Sequence, residues 1–221
     1  MELPVIHVFT HDSIGVGEDG PTHQPDEQLA SLRSIPGLIT LRPADANEVV
    51  EAWRVIVESR REPVALVLSR QALPTLDRSR YAAASGVAKG AYVLADPDEG
   101  PPDVILIATG SEVSLALRAR DELERDGVRA RVVSMPSWEL FERQVSSYRE
   151  KVLPPSIRAR VAIEQASASG WARYVGLDGC TIAMETFGAS APLAELQKKF
   201  GFTPERIVAA AKDQIRKATK S

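Results

Sequence analysis

Short apolar runs of four or five residues alternate along this chain with longer stretches whose apolar residues recur every three or four positions. That alternation predicts an α/β fold built on parallel sheets. The first run, Val5-Ile6-His7-Val8-Phe9, is apolar at both parities except at His7, which predicts a strand buried on both faces. A glycine-rich loop follows, then a short helix over residues 26–34 and a second strand over 38–41. Asp45, with Glu48 three positions later, predicts a helix start of the capping-box type. Val49, Ala52, Trp53, Ile56 and Val57 give that helix one apolar stripe. A third strand is expected over 64–68, ending at Ser69-Arg70-Gln71.

The pattern then breaks. Residues 71–88 carry Pro74, Ser79, Ser85 and Gly86 and few large apolar side chains, and they read as a linker. A second βα series begins with strands expected over 104–108, 130–133, 160–163 and 181–184, and an edge strand over 91–94. A helix opens at Gly110-Ser111-Glu112 and stops at Asp126-Gly127. Thr203-Pro204 starts a final helix running to about residue 218. The chain therefore divides into residues 1–86 and 87–221. The second part holds enough strands and helices to cover both faces of a sheet. The first holds three strands and two helices and reads as part of a domain.

Composition changes this picture little. The 221 residues are 44% hydrophobic and 26% charged, an ordinary globular balance, and a net charge of −3 offers no footprint for nucleic acid or an anionic membrane. Cys180 is the only cysteine, so no intrachain disulfide forms, and beside Thr181 it reads as a small buried packing residue. No apolar run approaches the ~20 residues of a membrane span. Met1-Glu2-Leu3-Pro4 lacks the basic region of a signal peptide, so the expected location is the cytoplasm.

The candidate chemistry lies near the start. All three histidines, His7, His11 and His23, fall within the first 23 residues. His7 is mid-strand and reads as a core or interface residue. His11 and His23 flank a loop at the carboxyl end of a parallel strand, where open α/β sheets bind ligands. Gly15, Gly17 and Gly20 match a dinucleotide-loop pattern, but Glu18 and Asp19 would repel a pyrophosphate and Pro21 precedes any helix. His11, Asp12, Asp19 and His23 match no metal-ligand spacing. Recognition of a polyol phosphate fits better. Asp19 accepts hydrogen bonds from hydroxyls, and Arg70, expected at the same sheet edge as His11, offers a bidentate fork for phosphate. Taken alone, Arg70 reads equally as a surface arginine.

The stretch Thr10-His11-Asp12-Ser13-Ile14-Gly15-Val16-Gly17-Glu18-Asp19-Gly20-Pro21-Thr22-His23-Gln24-Pro25 resembles the signature loop of transketolases. Further matches follow in order, among them Arg42-Pro43-Ala44-Asp45, Leu68-Ser69-Arg70-Gln71, Ala108-Thr109-Gly110-Ser111-Glu112-Val113, Met135-Pro136-Ser137-Trp138, Phe187-Gly188-Ala189-Ser190-Ala191-Pro192 and Phe200-Gly201-Phe202-Thr203-Pro204. Ala183-Met184-Glu185-Thr186 departs from the family's usual Asp-containing sequence. The resemblance implies a partial pyrimidine-binding domain of the thiamine diphosphate fold over 1–86. A three-layer α/β/α C-terminal domain over 87–221 would follow it.

It also implies roles. His11 and Arg70 would hold a substrate phosphate, Asp19 a donor hydroxyl, and His23 would lie near the thiamine and the reacting oxygens and shuttle protons. The ligands of the diphosphate and Mg²⁺, and the glutamate that activates the aminopyrimidine, would lie upstream of this sequence. Completed by that portion, the expected reaction is two-carbon ketol transfer between sugar phosphates in the pentose phosphate pathway; alone, the chain is expected to be inactive. The expected partners are a second copy or an N-terminal transketolase portion. Other readings are a subunit of a split enzyme, a non-catalytic dimerisation module, and a relative of dihydroxyacetone synthase.

Overall fold

The computed structural model describes residues 3–220. Met1, Glu2 and Ser221 lie outside them, and with them the reading of the first two residues as no signal peptide. The first sheet holds β1 (Ile6–Phe9), β2 (Ile39–Leu41) and β3 (Val64–Val67), all parallel, in the order β1-β3-β2. Helices α1 (Gln28–Arg33) and α2 (Ala46–Glu58) make the two crossovers.

Several expectations fail here. β1 lies at the sheet edge, with Ile6 44%, Val8 50% and Phe9 43% exposed, so it is not buried on both faces. His7 is exposed, stacked on Phe9 with ring centroids 6.1 Å apart, and is no core residue. On α2 the inward positions are Glu48, Ala52 and Ile56, whereas Trp53 and Val57 face outward. Glu48 takes an inward place because its partners are waiting there. Tyr92 Oη and Ser134 Oγ donate to Oε1 at 2.7 and 2.6 Å, and Ala44 N–H donates to Oε2 at 2.8 Å. The capping box is therefore shifted: Asp45 accepts from Glu48 N–H at 2.8 Å, but Glu48 reaches back to Ala44.

Residues 71–88 are irregular apart from a 3₁₀ segment, Ala84–Lys89. They are nevertheless tied down, because Leu76 N–H and Arg78 Nη2 both donate to Asp45 at 2.9 Å.

The second sheet has the order β4-β6-β5-β7-β8. Its strands are β4 (Tyr92–Ala95), β5 (Val104–Ala108), β6 (Ala130–Ser134), β7 (Arg160–Ser167) and β8 (Cys180–Met184). All pairs are parallel except β4 with β6, which makes β4 the expected edge strand. Helices α3 (Glu112–Arg125) and α8 (Pro204–Lys220) cover one face. α4 (Trp138–Glu142), α5 (Ser146–Val152) and α6 (Ala172–Val175) cover the other, and α7 (Leu193–Phe200) precedes α8. Every residue of β5 is buried, at about 1.5–3 kcal/mol for each large aliphatic side chain. This is the three-layer α/β/α arrangement. Cys180 sits half-buried against its core.

The two sheets share that core. One apolar cluster runs from Ile39, Leu41 and Leu66 through Val87 and Tyr92 to Val104 and Leu106. A second bridge sits beneath α1, where Leu29, Ala65 and Val67 close on Ala166 of β7. The first sheet is thus held at its β2 end by the second, while its β1 end stands open. No described helix is long and apolar enough to cross a membrane.

Candidate functional site

The loop after β1 is built from the backbone outward. Ser13 Oγ accepts Gly15 N–H at 3.2 Å and starts a 3₁₀ segment, Ile14–Asp19, whose Ile14 and Val16 are buried. Gly17 and Gly20 have φ of +79° and +91°, and a side chain on Gly15 would overlap the Gln71 amide. Close packing accounts for Gly15 and positive φ for Gly17 and Gly20, and a 3₁₀ turn stands where a dinucleotide loop would start its helix. His11 is the only non-glycine among the described residues with positive φ, at +64°. Such backbone costs on the order of 1–3 kcal/mol and persists only where its surroundings impose it.

The next residue shows what imposes it. Asp12 is buried, accepting from Ser13 Oγ at 3.1 Å and from Arg42 Nε at 2.8 Å. Arg42, fully buried, also donates through Nη1 to Thr109 O at 3.1 Å and to the Glu112 carboxylate. Glu164 lies 3.8 Å from Arg42, pairs with Arg33 at 2.7 Å, and accepts Trp171 Nε1 at 2.8 Å. Burial opposes ionisation of all three groups. It is outweighed at Glu164, whose pKa the Arg33 and Arg42 guanidinium groups hold below the usual range. At Glu112 burial dominates and the pKa is raised despite Arg42; at Arg42 the carboxylates prevail and keep it charged.

His11 and His23 come together on one cleft of about 370 Å³. Phe9, Leu29, Leu32 and Ile35 form its apolar wall, and Asp12 and Thr10 join the histidines. Thr10 Oγ1 meets His11 Nδ1 at 2.9 Å and Thr22 Oγ1 meets His23 Nδ1 at 3.0 Å, which leaves Nε2 of each ring for a ligand. Asp19 and Arg70 are exposed and lie outside the cleft lining. Arg70 follows β3, and Leu68, the residue just past that strand, donates its N–H to Phe9 O at 2.8 Å, so Arg70 leaves the sheet at the same carboxyl end as His11. Asp19 closes the 3₁₀ segment just before Gly20. Among the described residues no three carboxylate, imidazole or thiol groups converge to hold a metal ion. The described side chains therefore do not by themselves fit a metal ion such as Mg²⁺.

Asp26 is buried three residues beyond His23, and its pKa is raised to about 6. Burial is the main cause and the Glu27 charge the second, while Gly188 N–H offsets part of both. Sequence reasoning gave no role to Gln24, Arg42, Glu112 or Glu164. The available signal was a charge within an apolar run, as in Val161-Ala162-Ile163-Glu164.

The chain matches the family model described as "Transketolase, pyrimidine binding domain" over residues 1–75, and that of the "Transketolase-like TK C-terminal domain" over 90–203. A transketolase of Halalkalibacterium halodurans is 58% identical over 212 residues, 96% of this chain and 32% of the relative. The transketolase of Leishmania mexicana superposes with a TM-score of 0.90 at 42% identity, covering 98% of this chain and 31% of that one. The Pichia stipitis transketolase in complex with sedoheptulose-7-phosphate gives a TM-score of 0.91 at 40% identity, over 100% of this chain and 31% of that one. The chain spans about a third of the length of the curated relatives it matches.

Proposed function

The chain belongs to the transketolase family, and we propose that it supplies the sugar-phosphate-recognising part of an enzyme that moves a two-carbon ketol unit between sugar phosphates of the pentose phosphate pathway. The observation that carries this reading is the single cleft shared by His11 and His23, with Arg70 leaving the neighbouring strand at the same end. His11 and Arg70 hold the phosphate, Arg70 through its planar fork. Asp19 accepts a hydrogen bond from a donor hydroxyl. His23 stands nearest the reacting oxygens and moves a proton at its free ring nitrogen.

Thiamine diphosphate and Mg²⁺ come with residues outside this chain. The completed enzyme performs the transfer, and this chain alone binds without turning over. Residues 1–86 form the partial pyrimidine-binding domain and 87–221 the C-terminal domain, a division in keeping with the gap between the matched segments. The assembly is cytoplasmic.

Titration of the chain with ribose 5-phosphate, followed through the histidine ring protons by NMR, tests the reading. Saturable shifts at His11 and His23, weakened about tenfold or more by Arg70→Ala, are expected. Equal affinity of the unmodified, His11→Ala and Arg70→Ala chains would sink it.

A second reading, association as a dimer or as a subunit of a split enzyme, is favoured by β1. Every one of its residues is exposed, with an unpaired edge. The two readings are compatible, because covering β1 with an N-terminal transketolase portion or a second copy would complete the first domain.

A further inference from the structure

Resting on the sugar-phosphate reading of the loop, we propose that Gln24 is a positioning residue. Through it, the segment 188–190 near the other end of the chain latches the loop and sets where Asp19 and His23 stand. Gln24 is 6% exposed and reaches no ligand-accessible surface of the cleft, so it acts through its neighbours.

Its side-chain amide is fully used. Nε2 donates to Gly17 O at 3.1 Å and to Ala189 O at 2.9 Å, with Ile14 O at 3.5 Å, and Oε1 accepts Ala189 N–H at 3.0 Å. One planar group thus ties the start of the 3₁₀ segment, its middle and the far segment to the residue that follows His23. Ser190 adds a second tie, its Oγ donating to Glu18 O at 2.5 Å, immediately before Asp19. The backbone is cut to this contact. A Cβ on Gly188 would overlap Gln24 Oε1.

Glu18, just before Asp19, is therefore tied to the latch, and His23 is anchored one residue away. His11 is held separately by the Asp12–Arg42 pair. The latch governs the hydroxyl-recognising end of the loop and leaves the phosphate end to Asp12 and Arg42.

Three variants of the chain test this. Gln24→Met keeps side-chain length without the amide, Gly188→Ala crowds the amide from the latch side, and Ser190→Ala removes only the tie to Glu18. Amide hydrogen exchange of residues 15–20 and 23 is expected to rise about tenfold or more in Gln24→Met and Gly188→Ala, while α3 and β5 keep their protection. Ser190→Ala should give a smaller change of the same sign. Affinity for ribose 5-phosphate should fall about tenfold while that for inorganic phosphate changes less than about twofold. A purely structural role would lower protection everywhere and spare neither ligand.

Unchanged loop exchange in Gly188→Ala and Ser190→Ala overturns the latch, even if Gln24→Met does not fold. Equal ribose 5-phosphate affinity in Gln24→Met and the unmodified chain overturns it too. If the unmodified chain binds no sugar phosphate but loop exchange responds as expected, the latch stands and the sugar-phosphate reading fails.

Discussion

Replacing Arg42 with methionine isolates the charge that joins the two sheets. In the native chain Arg42 contacts Asp12 at 2.8 Å, Glu112, and Glu164 at 3.8 Å, all essentially without solvent. After the substitution Glu164 keeps Arg33 at 2.7 Å and Trp171 at 2.8 Å, so it remains compensated. Asp12 keeps only Ser13, and Glu112 keeps Ser111 Oγ at 2.5 Å and Gln165 N–H at 3.0 Å, neither of them a cation. Breaking a buried pair in this way costs about 3–5 kcal/mol, a large part of the ~5–15 kcal/mol that holds a domain together.

The pH dependence gives the sharper test. The folded pKa of Glu112 is already raised by burial, and loss of Arg42 removes the charge that opposes this and raises it further. A raised carboxyl contributes its stability below the unfolded pKa and loses it as pH rises through the folded one. The deficit should therefore be full at pH 7–8 and shrink toward pH 4–5. Urea unfolding followed by the fluorescence of buried Trp138 and Trp171 measures it, and Arg42→Met/Glu112→Gln should recover roughly 1–2 kcal/mol at pH 7. A loss under about 1 kcal/mol at pH 7, or an identical loss at pH 5 and pH 8, refutes the reasoning.

Asp26→Asn should stabilise the chain by roughly 1–2 kcal/mol at pH 7.5 and not at all at pH 4, read by the same urea midpoints. The sign follows from a folded pKa raised from 3.8 to about 6, which makes the ionised form the unfavourable one above that pH. Val8→Lys, on the exposed edge strand, should shift the chain toward monomer in light scattering; an unchanged mass would mean that β1 is not where it associates. With thiamine diphosphate, Mg²⁺ and sugar phosphates, the purified chain should show no ketol transfer above background, and measured turnover would contradict the proposed division of labour.

The legible parts of the fold were those whose burial is local. β5 and β6 read as strands because they are covered on both faces by helices of this same chain. α8 declared itself by its cap, Thr203 Oγ1 accepting Arg206 N–H at 3.3 Å. β1 carries the same apolar signature, but its apolar residues are 43–50% exposed at the sheet edge, so pattern and exposure disagree. On α2, hydrophobicity favoured Trp53 and Val57 as core, whereas Glu48 went inside for partners that stand 44 and 86 residues away. The candidate site divides in the same way. Glycines and histidines exposed the loop in the sequence, but Arg42, Glu112 and Gln24 acquire meaning only from contacts that no local pattern encodes.

The contact between Gln24 and Ala189 spans 165 positions of the chain. β1, β2 and β3 can pair once their first seventy residues are available, and closing so long a loop later adds only slowly growing entropy. During synthesis at about 5–20 residues per second, the loop therefore waits roughly 10–30 s for the segment that fastens it. Its recognition end is among the last features of the molecule to mature. A product ending before residue 187 would keep every histidine and lose the contacts that place Asp19 and His23.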